Sequence, residues 1–267
     1  MFKRVVSKKN RVLLAELVRT DFKLRYQGSV LGYVWSLLRP LLLFMILYLV
    51  FIKFLKVNFG IPHSAVYLLL GIVLWSFFLE LTMGAIGSIV GRGDLIRKIR
   101  IPRWLIVLST SLAAVINLCL NFIVIAVFMV LNHVAVSWLL LWMPLIMIEL
   151  YIFGFGIALF LSAAFVRYRD VTYIWEVVTQ ALFYLTPLLY PVSRLHWPLV
   201  REILFTSPLS QVIQSARYVL VTPKSYTIAQ AFHNPWAITI PIAITITSFV
   251  IGTLYFRAKS KTFAEDI

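Results

Sequence analysis

The chain has 267 residues, 61% of them hydrophobic and 13% charged, with a mean hydropathy of +0.93. A soluble domain carries about 25% charged residues, so this chain lacks the polar surface to face water on every side, and lipid must be its solvent. The net charge of +15 would suggest nucleic acid in a soluble protein, but here the basic residues lie between apolar stretches, where anionic headgroups and membrane topology account for them. No nucleic-acid partner is expected. Cys119 is the single cysteine, which excludes a disulfide framework and a cysteine-rich metal site. His63, His133, His196 and His233 are scattered, with no metal-ligand spacing. No small-residue cleavage site follows the basic start closely, so a cleaved signal peptide is not expected.

In chain order, residues 1–29 predict a two-faced helix. Leu13, Leu14, Leu17, Val18 and Phe22 form one face, and Arg11, Glu16, Arg19 and Lys23 the other. That is the pattern of a helix lying in the headgroup plane. A membrane crossing takes about 20 mostly apolar residues. About six such stretches follow, at 30–52, 66–90, 104–131, 138–166, 171–190 and 236–256. The fifth is the weakest, because it is short and contains Glu176 and Pro187. Gly28 and Gly32 let the chain turn into the first span.

Basic residues set the orientation. They cluster before the first span, in the second connection (Arg92, Arg97, Lys98, Arg100, Arg103), in the fourth (Arg167, Arg169) and in the tail at 257–267. These segments alternate, so both termini are expected in the cytoplasm. The second connection, bounded by Gly91, Gly93 and Pro102, predicts a short helix across the cytoplasmic surface. The fifth, at 191–235, is too long for a simple loop. It is punctuated by Pro198, Pro208 and Pro223, and 209–220 has helical spacing with Val212, Ile213, Ala216 and Leu220 on one face. It predicts short helices dipping into the outer half of the membrane, which is tolerated where protein or a wet cavity covers the backbone. The sixth span, 236–256, closes the fold.

Acidic groups inside a membrane cost about 2.5–3.5 kcal/mol on insertion scales and point to function. Three lie in the expected spans: Glu80, Glu149 and Glu176. Glu80 shares a helical stripe with Ser76, Gly84, Gly87 and Gly91, a small-residue pattern that suits close helix packing. Glu149 has only Tyr151 for polar company, and Glu176 is placed to pair with Arg167 or Arg169. Two aromatic stripes stand out. Tyr33, Phe44, Tyr48 and Phe51 fall near one face of the first span. Tyr173, Glu176, Gln180, Tyr184 and Pro187 fall along the fifth. Aromatic rings with scattered hydrogen-bonding groups suit the C–H faces and hydroxyls of a passing sugar. No Gly-Lys dipeptide occurs, so the phosphate-cradling loop of ATPases is absent.

Three blocks carry a family resemblance: residues 22–35 (FKLRYQGSVLGYVW) through Pro40, residues 165–170 (FVRYRD) with 186–191 (TPLLYP), and residues 207–217 (SPLSQVIQSAR). In this order and at these intervals they resemble the permeases of ABC-2 type transporters, in the branch that exports O-antigen, teichoic acid and related surface polysaccharides. The resemblance implies one transmembrane domain over 1–267, all-α and polytopic, with the helices at 191–235 acting as an extracytoplasmic gate. It implies a half-transporter in the cell inner membrane: a homodimer with two copies of an ATP-binding subunit, which hold the ATP and Mg, while this chain binds no cofactor and is not an enzyme. The connection holding Asp94, Arg97, Lys98 and Arg100 resembles the coupling helix that docks the ATPase. The cargo it implies is a lipid-linked polysaccharide, with Arg25 and Arg39 as candidates for meeting its pyrophosphate; Arg39 stands where the family often has an uncharged polar residue. Export of a small molecule or drug on the same fold is the alternative. A proton- or sodium-driven transporter would need paired carboxylates and internal repeats, and a membrane-bound transferase would need clustered His or Asp; neither pattern is present.

Overall fold

A computed structural model describes residues 8–26, 32, 34–54, 60–98 and 101–263. The architecture is all-α, and the chain is a multi-pass membrane protein. Helix α1 spans Lys8–Tyr26. Helix α2 spans Val34–Tyr48 and runs on as a π-helical turn over Leu49–Phe54. Helix α3 spans Ser64–Ile86, and a 3-10 turn at Val90–Arg92 leads into the six-residue α4, Gly93–Lys98. Helix α5 spans Trp104–Leu131 and α6 spans Met143–Arg167. Helix α7 spans Val171–Leu185. Three short helices follow: α8 at Pro198–Thr206, α9 at Pro208–Leu220 and α10 at Ile228–Phe232. Helix α11, Thr239–Lys259, completes the bundle.

Among the described residues, five helical segments are long and apolar enough to cross a membrane: Val34–Phe54, Ser64–Ile86, Trp104–Leu131, Trp138–Arg167 and Pro235–Lys259. The expected fifth span at 171–190 is different. Helix α7 has 15 residues and stops at Leu185, which at 1.5 Å per residue is about 22 Å, short of a ~30 Å hydrocarbon core. Thr186 is extended and Pro187 follows, and a residue before proline is pushed out of the helical region.

The bundle is organised around α3. Its apolar residues spread round the whole helix, with Leu69, Leu70, Ile72 and Leu74 fully buried, as expected of a helix surrounded by protein. Helices α2, α5, α6, α7 and α9 all pack on it. The other extensive pairing is α6 with α11. A Cβ added at Gly252 would overlap the Gly156 carbonyl, and one at Gly156 would lie 2.6 Å from the Phe249 Cα. Only glycine admits this backbone-to-backbone approach. Close packing was expected instead along the Glu80 stripe. But α3 ends at Ile86, so Gly87 and Gly91 lie beyond it, and open space surrounds both.

The short helices at the end far from α1 begin as their residues dictate. Pro198 and Pro208 each open a helix at its first turn, where the missing N–H costs nothing. Thr227 and Gln230 form a reciprocal capping box on α10. In α9 the expected apolar face, Val212, Ile213, Ala216 and Leu220, is buried. His63, His133 and His233 take the left-handed backbone conformation (φ 55°, 52° and 52°) at the loop ends of helices, a region in which His is enriched several-fold.

Candidate functional site

Polar groups gather at four levels of the bundle. At the end carrying α1 and α4, Arg92 forms an ion pair with Asp21 of α1. Its Nη1 donates to the Ser109 hydroxyl of α5 at 3.0 Å. Ser109 Oγ lies 2.8 Å from Asp21 Oδ2 and 2.8 Å from the Ile106 carbonyl, and shares its one proton between them. Burial pulls the Arg92 pKa down from the ordinary arginine value. Helix α4 presents its charges outward: Arg97 reaches Asp94 at 3.4 Å, with side-chain exposures of 57% and 88%. Ile96 packs instead on an apolar cluster that includes Ile89, Ile106, Phe256 and Phe263.

In the middle of the bundle, Asn117 Nδ2 donates to Glu80 Oε1 at 2.5 Å. Asn121 Nδ2 lies 2.8 Å from the Asn117 carbonyl and 3.3 Å from the Ser36 carbonyl, which ties α5 to α2. The Ser111 and Tyr151 hydroxyls are 2.9 Å apart across α5 and α6. Trp175 Nε1 donates to the Thr82 hydroxyl at 3.1 Å and holds α7 on α3. Glu149 Oε1 is buried, with no hydrogen-bond partner among the described residues.

At the far end sits Arg217 of α9, the largest fully buried side chain among the described residues. Its Nε donates to the Tyr67 carbonyl (3.0 Å), Nη1 to the Pro187 carbonyl (2.6 Å) and Nη2 to the Leu188 carbonyl (2.8 Å). The guanidinium carbon stands 3.7 Å from the centre of the Tyr67 ring, a cation–π contact. No carboxylate pairs with it among the described residues. Gly71 leaves the space that Nη2 occupies. The Tyr67 hydroxyl donates to Gln214 Oε1 at 3.2 Å, one turn before Arg217. One cation thus joins α9, the N-terminal end of α3 and the turn after α7. Nothing in the sequence singled out this residue beyond its place at the end of the third resemblance block.

The fourth level is a surface. Tyr173, Glu176, Gln180 and Tyr184 of α7 are all exposed, while Pro187 is buried. The expected pairing of Glu176 with Arg167 or Arg169 does not form. Arg167 lies over the Tyr168 ring and Arg169 over the Phe165 ring instead, since α7 begins beyond them and turns Glu176 outward. Beside this face, Gly156, Phe160, Ile174, Trp175, Ile251 and Tyr255 line an open apolar groove of ≈ 780 Å³ between α6, α7 and α11.

The first-span stripe is partly packed within the chain. Phe44 is buried within the protomer, edge-on to Phe128 of α5 and 5.6 Å from Tyr48. Tyr48 and Phe51 on the same face are half-buried. At Phe44 that periodicity marks a face of α2 that packs on α5. Tyr33 and Arg100 lie outside the described residues, as do the side chains of Arg25 and Lys98. Arg39 is exposed, next to the buried Pro40.

The sequence profile of the ABC-2 type transporter family matches residues 13–221, from α1 to just past α9. The O-antigen export system permease protein RfbA of Klebsiella pneumoniae is 31% identical over 210 residues, which make up 77% of this chain and 78% of that protein. The protein of the same name from Myxococcus xanthus is 30% identical over 262 residues, 96% of each chain.

Proposed function

Because this chain belongs to the ABC-2 type transporter family, we propose that it is the membrane permease of an ATP-driven exporter of a lipid-linked, O-antigen-like cell-surface polysaccharide. Permeases of this family work with an ATP-binding subunit and generally lack an ATPase site of their own. In this reading two copies of the chain form the path in the inner membrane, with both termini cytoplasmic. Two ATP-binding subunits holding ATP and Mg drive them. The names of the two relatives support the cargo class.

The outward face of α7 carries the reading. Glu176 and Gln180 share that exposed face with Tyr173 and Tyr184. Hydrocarbon would leave the carboxyl and the amide without partners, which is costly, so the face calls for a second copy or a wet path. Rings stack on the C–H faces of a sugar while the polar groups exchange hydrogen bonds with its hydroxyls, and neither binds it tightly enough to arrest passage. At the cytoplasmic end, the outward Asp94 and Arg97 of α4 suit docking of the ATPase, and Arg25, Arg39 and their basic neighbours suit a pyrophosphate, which arginine pairs with well. The half-buried Tyr48 and the exposed α7 residues then meet the glycan in turn as the subunits rock.

The test replaces Tyr184 and Gln180 singly by alanine in cells that depend on this permease. Both side chains are exposed, so insertion and thermal stability stay at wild-type level. Surface polysaccharide and glycan-stimulated ATP turnover fall severalfold. Unchanged export together with unchanged stimulation would place this face against lipid and defeat the reading.

A further inference from the structure

We propose that Asp21, Arg92 and Ser109 are positioning residues that lock α1 and α4 to α5 as one lever, so that a push on α4 moves the amphipathic helix with it. The driving partner rests on the permease reading above; the lever itself rests on geometry alone.

The geometry is a closed triangle between three separate segments. Asp21 comes from α1, Arg92 from the residue directly before α4, and Ser109 from the start of α5. Arg92 uses Nη2 on Asp21 Oδ1 and Nη1 on the Ser109 hydroxyl, while Asp21 Oδ2 faces the same hydroxyl. Both carboxylate oxygens and two guanidinium nitrogens are therefore engaged. The Arg92 and Asp21 side chains are 17% and 14% exposed, and Ser109 is fully buried. A charge-assisted network shielded to this degree holds its geometry far better than an exposed pair. The Asp94–Arg97 pair on α4 is such an exposed pair, at 3.4 Å and within one helix, and it fastens α4 to nothing else.

Helix α4 needs the anchor. Six residues cannot sustain a helix in isolation, and its apolar hold is the packing of Ile96. Helix α1 needs it as well. It packs on α5; among its described side chains Leu17 is buried, and Asp21 adds a polar tie there. A displacement of α4 that left α1 behind would have to pull a shielded cation off a shielded anion. Moving all three segments together breaks nothing. A force delivered to Asp94 and Arg97 is thus carried through Arg92 to both ends of the cytoplasmic layer.

The experiment uses the full chain in lipid nanodiscs and amide hydrogen exchange, which needs neither cargo nor ATPase. The variants are Asp21→Asn, Arg92→Gln and the charge exchange Asp21→Arg/Arg92→Asp. Loss of a local tie raises exchange in the segments it held, here by about tenfold. The signature of a lever is reciprocity: Asp21→Asn loosens α4 peptides, and Arg92→Gln loosens α1 peptides. The charge exchange restores protection in both. If each single variant loosens only its own helix, or neither, the lever does not exist. A general failure to fold is recognised by loss of protection in α3, which is remote from the triangle, and the shorter Ser109→Ala cut then carries the same test: it loosens α1 and α4 together, or the lever is refuted. The second readout is functional, in the complex with the ATP-binding subunit. The single variants keep copurification and ATP hydrolysis but lose export, and the charge exchange regains it. A wild-type chain that binds no ATP-binding subunit while showing reciprocal exchange would overturn the permease reading and leave the lever standing.

Discussion

Replacing Arg217 by alanine takes away the guanidinium that satisfies three buried carbonyls, those of Tyr67, Pro187 and Leu188. Each buried acceptor left without a donor costs about 1–3 kcal/mol, so the gross loss is about 3–9 kcal/mol. Against this stands the relief of no longer burying an unpaired cation, an effective penalty of several kcal/mol. Truncating a large, fully buried side chain to alanine also leaves a cavity, a cost of about 2–5 kcal/mol, so the net destabilisation is about 3–5 kcal/mol. For a chain of this size 1 kcal/mol moves the melting temperature by about 2–4 °C, so the apparent midpoint falls by about 10 °C. The assay is a tryptophan-fluorescence melt of the detergent-solubilised protein at a fixed scan rate, since unfolding of such proteins is often irreversible. Gly71→Ala supplies an independent perturbation of the same contact, because its methyl would occupy the space of Arg217 Nη2. Two changes at one contact do not add: with the guanidinium gone, the methyl at residue 71 has room, and the double variant melts close to Arg217→Ala alone. An Arg217→Ala protein melting within about 2 °C of wild type, or single losses that sum in the double variant, would refute the clamp.

Further substitutions probe helix packing away from that clamp. Gly252→Ala drives a methyl into the Gly156 carbonyl; overpacking of this kind costs about 1–3 kcal/mol, read as a lower midpoint in the same melt. Gly87→Ala, in open space, stays within about 0.5 kcal/mol of wild type; equal effects at the two glycines would contradict the close approach of α6 and α11. Trp175→Phe removes the indole Nε1 and with it the 3.1 Å bond to Thr82, worth about 0.6 kcal/mol by the average for interhelical bonds in membranes, together with the packing of the lost five-membered ring. Thr82→Val in the Trp175→Phe background should then add nothing from that bond, and a full further loss would show that the bond does not form.

The long apolar stretches, the two-faced first helix and the buried face of α9 were legible because each is a local property: composition over twenty residues, or spacing within one helix. What decides the candidate site is not local. Arg217 and the Tyr67 carbonyl are 150 residues apart, and Asp21 and Ser109 are 88 apart. In a chain with 25 Lys and Arg, a single arginine in a semi-polar connection reads as one more headgroup contact, and an aspartate on a basic amphipathic helix as part of its solvated face. The same limit explains the first aromatic stripe. Helical periodicity reports that one side of α2 differs from the other, and Phe44, Tyr48 and Phe51 do share a side. It carries no information on whether that side meets cargo or Phe128 of α5. In α7 the same periodicity groups Tyr173, Glu176, Gln180 and Tyr184, and there the side faces outward. The difference lies in what the stripe contains. The first-span stripe holds rings that carry at most a phenol hydroxyl, which a protein core accepts readily, whereas the α7 stripe mixes rings with a carboxyl and an amide, which neither core nor lipid accepts unpaired. A polar group that local pattern leaves without a partner in an apolar chain is therefore the stronger pointer: for Arg217 and Arg92 the partner is a distant segment, and Glu176 and Gln180 are turned to the surface of the chain.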